Sequence, residues 1–217
     1  MATKVLIFLG SVREENTAPL PSRLGGRVSK ACIAYLEQSD HNVELIDPLN
    51  YELGDTFRPY FSYRSGEQPA ELKTLAEKIT DADAYVMVSP EYNHTMSPAL
   101  ADLLNHFGSS LFSYKPSVIV TYSAGQWGGA RAAVNMRTFL SELGCLPVSA
   151  MVHVPRAHNV FDSQGGYLDD VDAKDWSSYL GRAFEQMHWW AQAAINQRKI
   201  SSPTTAFNRD PSQRNAP

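Results

Sequence analysis

The stretch Ala84 to Phe107, AYVMVSPEYNHTMSPALADLLNHF, decides the reading of the fold. An apolar run from Tyr85 to Val88 breaks off at Ser89-Pro90-Glu91-Tyr92-Asn93. Ser97-Pro98 then opens a helical pattern that places Leu100, Leu103, Leu104 and Phe107 on one face and closes at Gly108. A serine hydroxyl can accept one of the unpaired N–H groups at a helix start, and proline at the first helical position loses nothing by lacking its own N–H. The expectation is a buried strand, a polar loop at its carboxyl end, and a helix that enters with N–H groups exposed. In open parallel α/β sheets that edge is where ligands bind. A proline beside an aromatic and an amide offers a flat surface and backbone donors, which suits a planar heteroaromatic ring.

Outward from this segment, the chain alternates short apolar runs with longer helical periods. Strand candidates are Val5 to Leu9, Val43 to Ile46, Tyr85 to Val88, Val118 to Tyr122 and Val148 to Val154. They are rich in valine and isoleucine and continuous rather than alternating, as expected of strands covered on both faces. Leu24, Val28, Cys32 and Leu36 share a helical face, as do Leu72, Leu75, Ala76 and Ile79; a further helix spans Arg131 to Leu143, closed by Gly144. A last long helix carries Trp176, Leu180, Ala183, Phe184, Met187, Trp190, Ala191 and Ala194 along one stripe. Five strands alternating with five helices read as a doubly wound α/β sandwich, a five-stranded parallel sheet with helices on both faces. One domain is expected over residues 1–197. Residues 198–217, poor in apolar side chains, read as a loosely held tail.

Composition narrows the function. The chain has 217 residues, 43% of them hydrophobic, enough for one core and short for two domains. No apolar run reaches the ~20 residues needed to cross a bilayer, and Val5 to Leu9 is too brief for a signal peptide. A net charge of −4 and a pI near 5.8 argue against nucleic acid or an anionic membrane as partner. Cys32 and Cys145 have no partner at metal or redox spacing, so a reducing, cytoplasmic setting is expected. The histidines lack metal-ligand spacing, and no metal site is expected. The acidic run Asp169, Asp170, Asp172 and Asp175 reads as a helix N-terminus.

Three loops should emerge together on the carboxyl edge. After the first strand come Gly10-Ser11-Val12-Arg13-Glu14-Glu15-Asn16-Thr17 and then Ser22-Arg23-Leu24-Gly25-Gly26-Arg27. The Ser11 hydroxyl, the guanidinium forks of Arg13 and Arg23, and the helix start are the parts of a phosphate site. The second loop is the Pro90 to Asn93 platform. The third, Tyr122-Ser123-Ala124-Gly125-Gln126-Trp127-Gly128-Gly129, suggests backbone packed against a ring edge, with Trp127 capping a pocket or facing another subunit. A phosphate grip, a flat platform and a glycine-lined rim together fit FMN.

GSVRE followed by RLGGRV, then SPEYNHTMSPALADLLNHF, then YSAGQWGGARA resembles the flavodoxin-like family of NAD(P)H-dependent FMN reductases and quinone reductases. The resemblance implies FMN held by Ser11 and Arg13 at the phosphate, by Pro90, Glu91, Tyr92 and Asn93 along the isoalloxazine, and by Tyr122, Ser123 and Gly125 at the pyrimidine side. It implies NAD(P)H as co-substrate, small electron acceptors (quinones, with azo dyes or free flavin as further candidates), and a homodimer or homotetramer. One departure falls beside Arg23: family members run almost directly from the first arginine into the second motif, whereas Glu15 to Ser22 intervenes here. No catalytic side chain is required, since the flavin carries the chemistry; His94 reads as a surface loop residue. The alternatives are a flavodoxin-type electron carrier and an FMN-binding regulatory partner without NAD(P)H turnover.

Overall fold

A computed structural model describes residues 2–14, 23–54 and 56–201. Its sheet is parallel throughout. Strands β1 (Lys4–Leu9), β2 (Asn42–Ile46), β3 (Ala84–Pro90), β4 (Pro116–Tyr122) and β5 (Leu146–Pro147) lie in the order β2-β1-β3-β4-β5, and β6 (Val152–Val154) also pairs with β4. This is the doubly wound α/β sheet expected from the sequence. The direction of winding reverses at β1, which has β2 on one side and β3 on the other, so the crevice of the fold opens above the ends of β1 and β3.

Residues of opposite parity on each strand feed two separate cores. Val5, Ile7 and Leu9 of β1 pack with Val86, Val88, Val118 and Val120 under helices α1 (Leu24–Gln38) and α6 (Ala173–Ile200). Leu6, Phe8, Tyr85, Met87 and Ile119 pack on the opposite face, under α2 (Ala70–Asp81), α3 (Pro98–Asn105), the short α4 (Ser109–Phe112) and α5 (Ala130–Glu142). Burial on both faces explains why the strands read as continuous apolar runs. The α1 face foreseen from Leu24, Val28, Cys32 and Leu36 and the α2 face from Leu72, Leu75, Ala76 and Ile79 both point inward.

Four local expectations need correction. The fifth strand is split: Ser117 pairs with Pro147 and Val120 with Val152, so two residues of β4 oppose four of the outer strand, which bulges over Val148 to Met151. Side chains of α6 catch two N–H groups of this edge, Ala150 N–H donating to Gln186 Oε1 (3.1 Å) and His153 N–H to Tyr179 Oη (2.9 Å). Gly108 does not stop α3 by a left-handed turn; the helix ends at Asn105, and Gly108, at φ −77°, opens α4. Trp190 leaves the buried stripe of α6 and stacks edge-on with Trp189 at the surface, 4.7 Å between ring centres. Finally, α6 runs to Ile200, so Arg198, grouped with the tail by composition, is helical and donates to Asp83 at 2.6 Å. Positions 202–217 and Glu15 to Ser22 lie outside the described residues. Of the acidic run, Asp172 caps α6 by accepting the Asp175 N–H.

Candidate functional site

A cleft of about 790 Å³ lies at the reversal point, lined by residues of all three carboxyl-edge loops. Ser11, Arg13, Glu14, Arg23 and Leu24 form one end; Pro90, Glu91 and Tyr92 form one wall, and Tyr122, Ser123 and Ala124 the other. Gly10 lets the first loop sit so close. A Cβ there would meet Ser97 Oγ, Leu100 Cβ and the Val88 carbonyl at 2.9 Å, so only glycine lets the end of β1 lie against the α3 start.

The first end of the cleft is rich in hydrogen-bond donors. Helix α1 starts beside Ser11, and its N-cap residue Arg23 makes no side-chain cap hydrogen bond, so among the described residues no side chain caps its first-turn N–H groups and positive dipole end. Arg13 reaches across the cleft and donates from Nε to Tyr92 Oη at 3.3 Å. Arg23 behaves differently. It is 4% exposed, and its two terminal nitrogens face the carboxylate of Asp47 at 2.5 and 3.0 Å, while Nε donates to Ser11 Oγ at 3.2 Å. Removing one member of such a buried pair typically costs about 3–5 kcal/mol, because the other is left charged and uncompensated.

The Pro90 to Asn93 wall is set by two local devices. Tyr92 and Thr95 exchange both backbone hydrogen bonds at 3.0 Å around Asn93 and His94, which take φ of +50° and +64°. This is the tight two-residue turn that normally calls for Asn-Gly. It lifts Asn93 and His94 away from the cleft into solvent, as read for His94, so Asn93 is not among the lining residues. Glu91 turns toward the neighbouring loop: its Oε2 accepts the Arg131 and Ala132 N–H groups (3.2 and 3.4 Å), and Oε1 lies 3.6 Å from the Arg131 guanidinium. Helix α5 begins after Gly129, which has no side chain to cap it, and Glu91 supplies the missing acceptor.

The glycine loop is held from within and from below. Ser123 Oγ donates to the Gly125 carbonyl and accepts the Gly128 N–H, at 2.8 and 2.9 Å. Gly129 at φ +76° has no alternative, since a Cβ would lie 2.8 Å from that of Thr121. Arg156, strained at φ +44°, donates its N–H to the Gly125 carbonyl, and Ala157 donates to Ser123 O. Gly125 itself faces open space, while Trp127 stands 63% exposed on the rim, its ring 5.6 Å from the Arg131 guanidinium. Tyr122 lies largely buried at the base of the cleft, and burial pushes its phenol well above its usual range, so it stays neutral beside Ser11.

Of the ten residues singled out in the sequence, eight therefore line the cleft and two, Asn93 and Gly125, are not among its lining residues. Asp47 was missed. Its only sequence signal was position, an acid directly after β2 on the same carboxyl edge. Arg156 was missed too, because a left-handed arginine leaves no mark in a sequence. The thiols of Cys32 and Cys145 are buried and pushed up to about 12, which leaves them inert. Among the described residues no cluster of three metal-ligating side chains occurs, and no helix is long and apolar enough to cross a membrane.

A parallel sheet with a phosphate-sized donor cluster and a flat-walled cleft at its reversal point defines the flavodoxin-like flavin-binding class. The NADPH-dependent FMN reductase family matches residues 3–159, and the chain belongs to that family. It is 37% identical over 112 residues to an NAD(P)H-dependent FMN reductase of Pseudomonas aeruginosa, a match covering 50% of this chain and 60% of that one. A 2-hydroxy-1,4-benzoquinone reductase of a Burkholderia species is 23% identical over 197 residues, covering 88% and 98%. The fold superposes on FerB, a flavoenzyme NAD(P)H:(acceptor) oxidoreductase of Paracoccus denitrificans, with TM-score 0.66 at 18% identity, over 87% of this chain and 98% of that one.

Proposed function

We propose that the chain is an FMN-dependent NAD(P)H oxidoreductase that reduces quinones by two-electron transfer, donor and acceptor visiting the same side of the flavin in turn. The observation that carries this reading is the cleft, with anion donors gathered at one end and a flat wall with an open side beyond them. Bound there, FMN would accept a hydride from NAD(P)H and pass both electrons to the acceptor. The donor set fits the group: Ser11, Arg13 and the uncapped start of α1 would hold a phosphomonoester, and Pro90 and Tyr92 would back the ring. The chain's own work is to hold and orient. Tyr92 is 37% exposed and is the one aromatic ring in that wall, so it leaves room for a second planar molecule to stack. A quinone-reducing relative among the matched proteins supports the acceptor class, and a wall of Pro90 and Tyr92 would take flat, electron-poor molecules by stacking, azo dyes and free flavin included.

The test is direct. The purified protein should be yellow, bleach under anaerobic NADPH and regain its colour on addition of a quinone. Double-reciprocal rate plots at several acceptor concentrations should be parallel; intersecting lines would mean that donor and acceptor bind together, which the shared side forbids. On the phosphate grip, Arg13→Ala should weaken FMN binding roughly ten-fold, the worth of one charge-assisted contact. Wild-type affinity in that variant would remove Arg13 from the grip.

A further inference from the structure

Resting on the reading of the cleft as an FMN site, we propose that Asp47, acting through Arg23, positions the Ser11 hydroxyl as a dedicated donor to the flavin phosphate. Four contacts form one chain. The Leu49 N–H donates to Asp47 Oδ1 (3.0 Å), which fixes the carboxylate at the end of β2. The carboxylate takes both terminal nitrogens of Arg23. The fork so fixed aims Nε–H at Ser11 Oγ, and the Arg13 backbone N–H donates to the same oxygen at 3.4 Å.

A hydroxyl has two lone pairs and one hydrogen. Arg23 Nε and the Arg13 amide take up the accepting side of Ser11, so what the serine offers is its hydrogen, to the Tyr122 phenol oxygen beside it or to a phosphate oxygen in the cleft. Phosphate oxygens accept and do not donate, and a serine held as a donor is matched to them. Asp47 also cancels the charge of Arg23. What remains of Arg23 at the cleft is an orienting N–H, not a cation bound to the ligand. Arg13 is then the cationic member of the grip, and Arg23 and Asp47 are positioning residues behind it. The side-chain exposures agree: 2% for Arg23 and 16% for Asp47.

The experiment uses full-length protein stripped of flavin and titrated by fluorescence with FMN and, separately, with riboflavin, which lacks the phosphate. Asp47→Asn should weaken FMN binding roughly ten-fold, as loss of one charge-directed hydrogen bond would, and leave riboflavin binding unchanged. Ser11→Ala should cost about as much, and the combined variant no more than Ser11→Ala alone, because both act on one hydroxyl. Tighter FMN binding in Asp47→Asn would overturn the proposal, since it would mean that a released Arg23 grips the phosphate itself. Additive losses, or equal losses for FMN and riboflavin, would overturn it as well. Should Asp47→Asn not fold, Arg23→Met/Asp47→Leu replaces the pair with apolar side chains of similar size, and the same loss confined to FMN is expected. A wild-type protein that binds neither flavin would sink the flavin reading and this proposal with it. A wild-type protein that binds FMN, with variants unaffected, would sink the relay alone.

Discussion

Gly25→Val should destabilise the fold by about 3 kcal/mol and loosen the cleft in the same stroke. A Cβ at Gly25 would lie 2.4 Å from Tyr122 Oη and 2.8 Å from Leu9 Cδ1, both buried in the core between α1 and the sheet. Glycine in the body of an exposed helix is a weak point, and replacing it usually gains up to ~1 kcal/mol. Here the steric term exceeds that gain, because the Cβ and its methyls would run into two core side chains at once, the Tyr122 ring end and Leu9. Tyr122 lies at the base of the cleft at the end of β4, so pushing it aside also disturbs the surroundings of Ser11. The urea midpoint should fall and flavin affinity with it. An unchanged or raised midpoint would show that α1 does not press on β4 as described.

Lys115→Met should cost stability in a way that grows with pH. The Lys115 ammonium is buried at the start of β4 and donates to the carbonyls of Ile79, Thr80 and Leu111 at 2.7, 2.8 and 3.2 Å, closing the C-terminal ends of α2 and α4. Removing it takes one donor from each carbonyl, Tyr85 Oη remaining on those of Ile79 and Leu111, and leaves the Thr80 carbonyl without its side-chain partner, a loss of about 1–3 kcal/mol at neutral pH. Burial pushes the lysine down from 10.5 to about 8. Between those values the unfolded chain holds a proton that the folded one has released, so unfolding takes up a proton and stability rises with pH. The contribution is fully present above about 10.5 and lost as pH falls through about 8. The gap between wild type and Lys115→Met should therefore widen by roughly 2–4 kcal/mol from pH 7 toward pH 10.5. Tyr85, whose buried phenol is raised well above 10, has the opposite effect at the alkaline end and shares the Ile79 and Leu111 carbonyls with Lys115, so the gap is read below pH 10, where the phenol is neutral in folded and unfolded chains alike. A gap that is flat with pH would show that the amine is not buried in this way.

Much of the site was legible because its parts are local. Ser97 and Pro98 mark the α3 start, and the structure places the Ser97 hydroxyl on the Leu100 N–H at 3.1 Å. Strands buried on both faces write themselves as unbroken valine and isoleucine runs, and parity along them sorts Ile7 from Phe8 into separate cores. Once the alternation of strand and helix is read, the carboxyl-edge loops must converge, which brings Ser11, Pro90 and Tyr122 together without any knowledge of distances. The errors lie where a neighbour overrules a local signal. Trp190 fits the helical period of α6 yet faces outward, because the apolar face of this long helix is covered only part of the way along. Glu91 lines the cleft as read from the sequence; that its carboxylate also serves the start of α5, forty residues away, is what no local signal announces.

The amino-acid order by itself determined the element sequence, the edge on which the site lies and the kinds of group that meet there, since these follow from short-range sterics, capping and the two-residue period of strands. Which of those groups remain available to a ligand was decided by the tertiary structure alone. Arg13 and Arg23 look alike in the chain; packing sets one across the open cleft against Tyr92 and locks the other between Asp47 and Ser11. The physical reason is that a buried guanidinium must be compensated by charge and hydrogen bonds. The acid that compensates it comes from the end of another strand, a contact that no local pattern encodes.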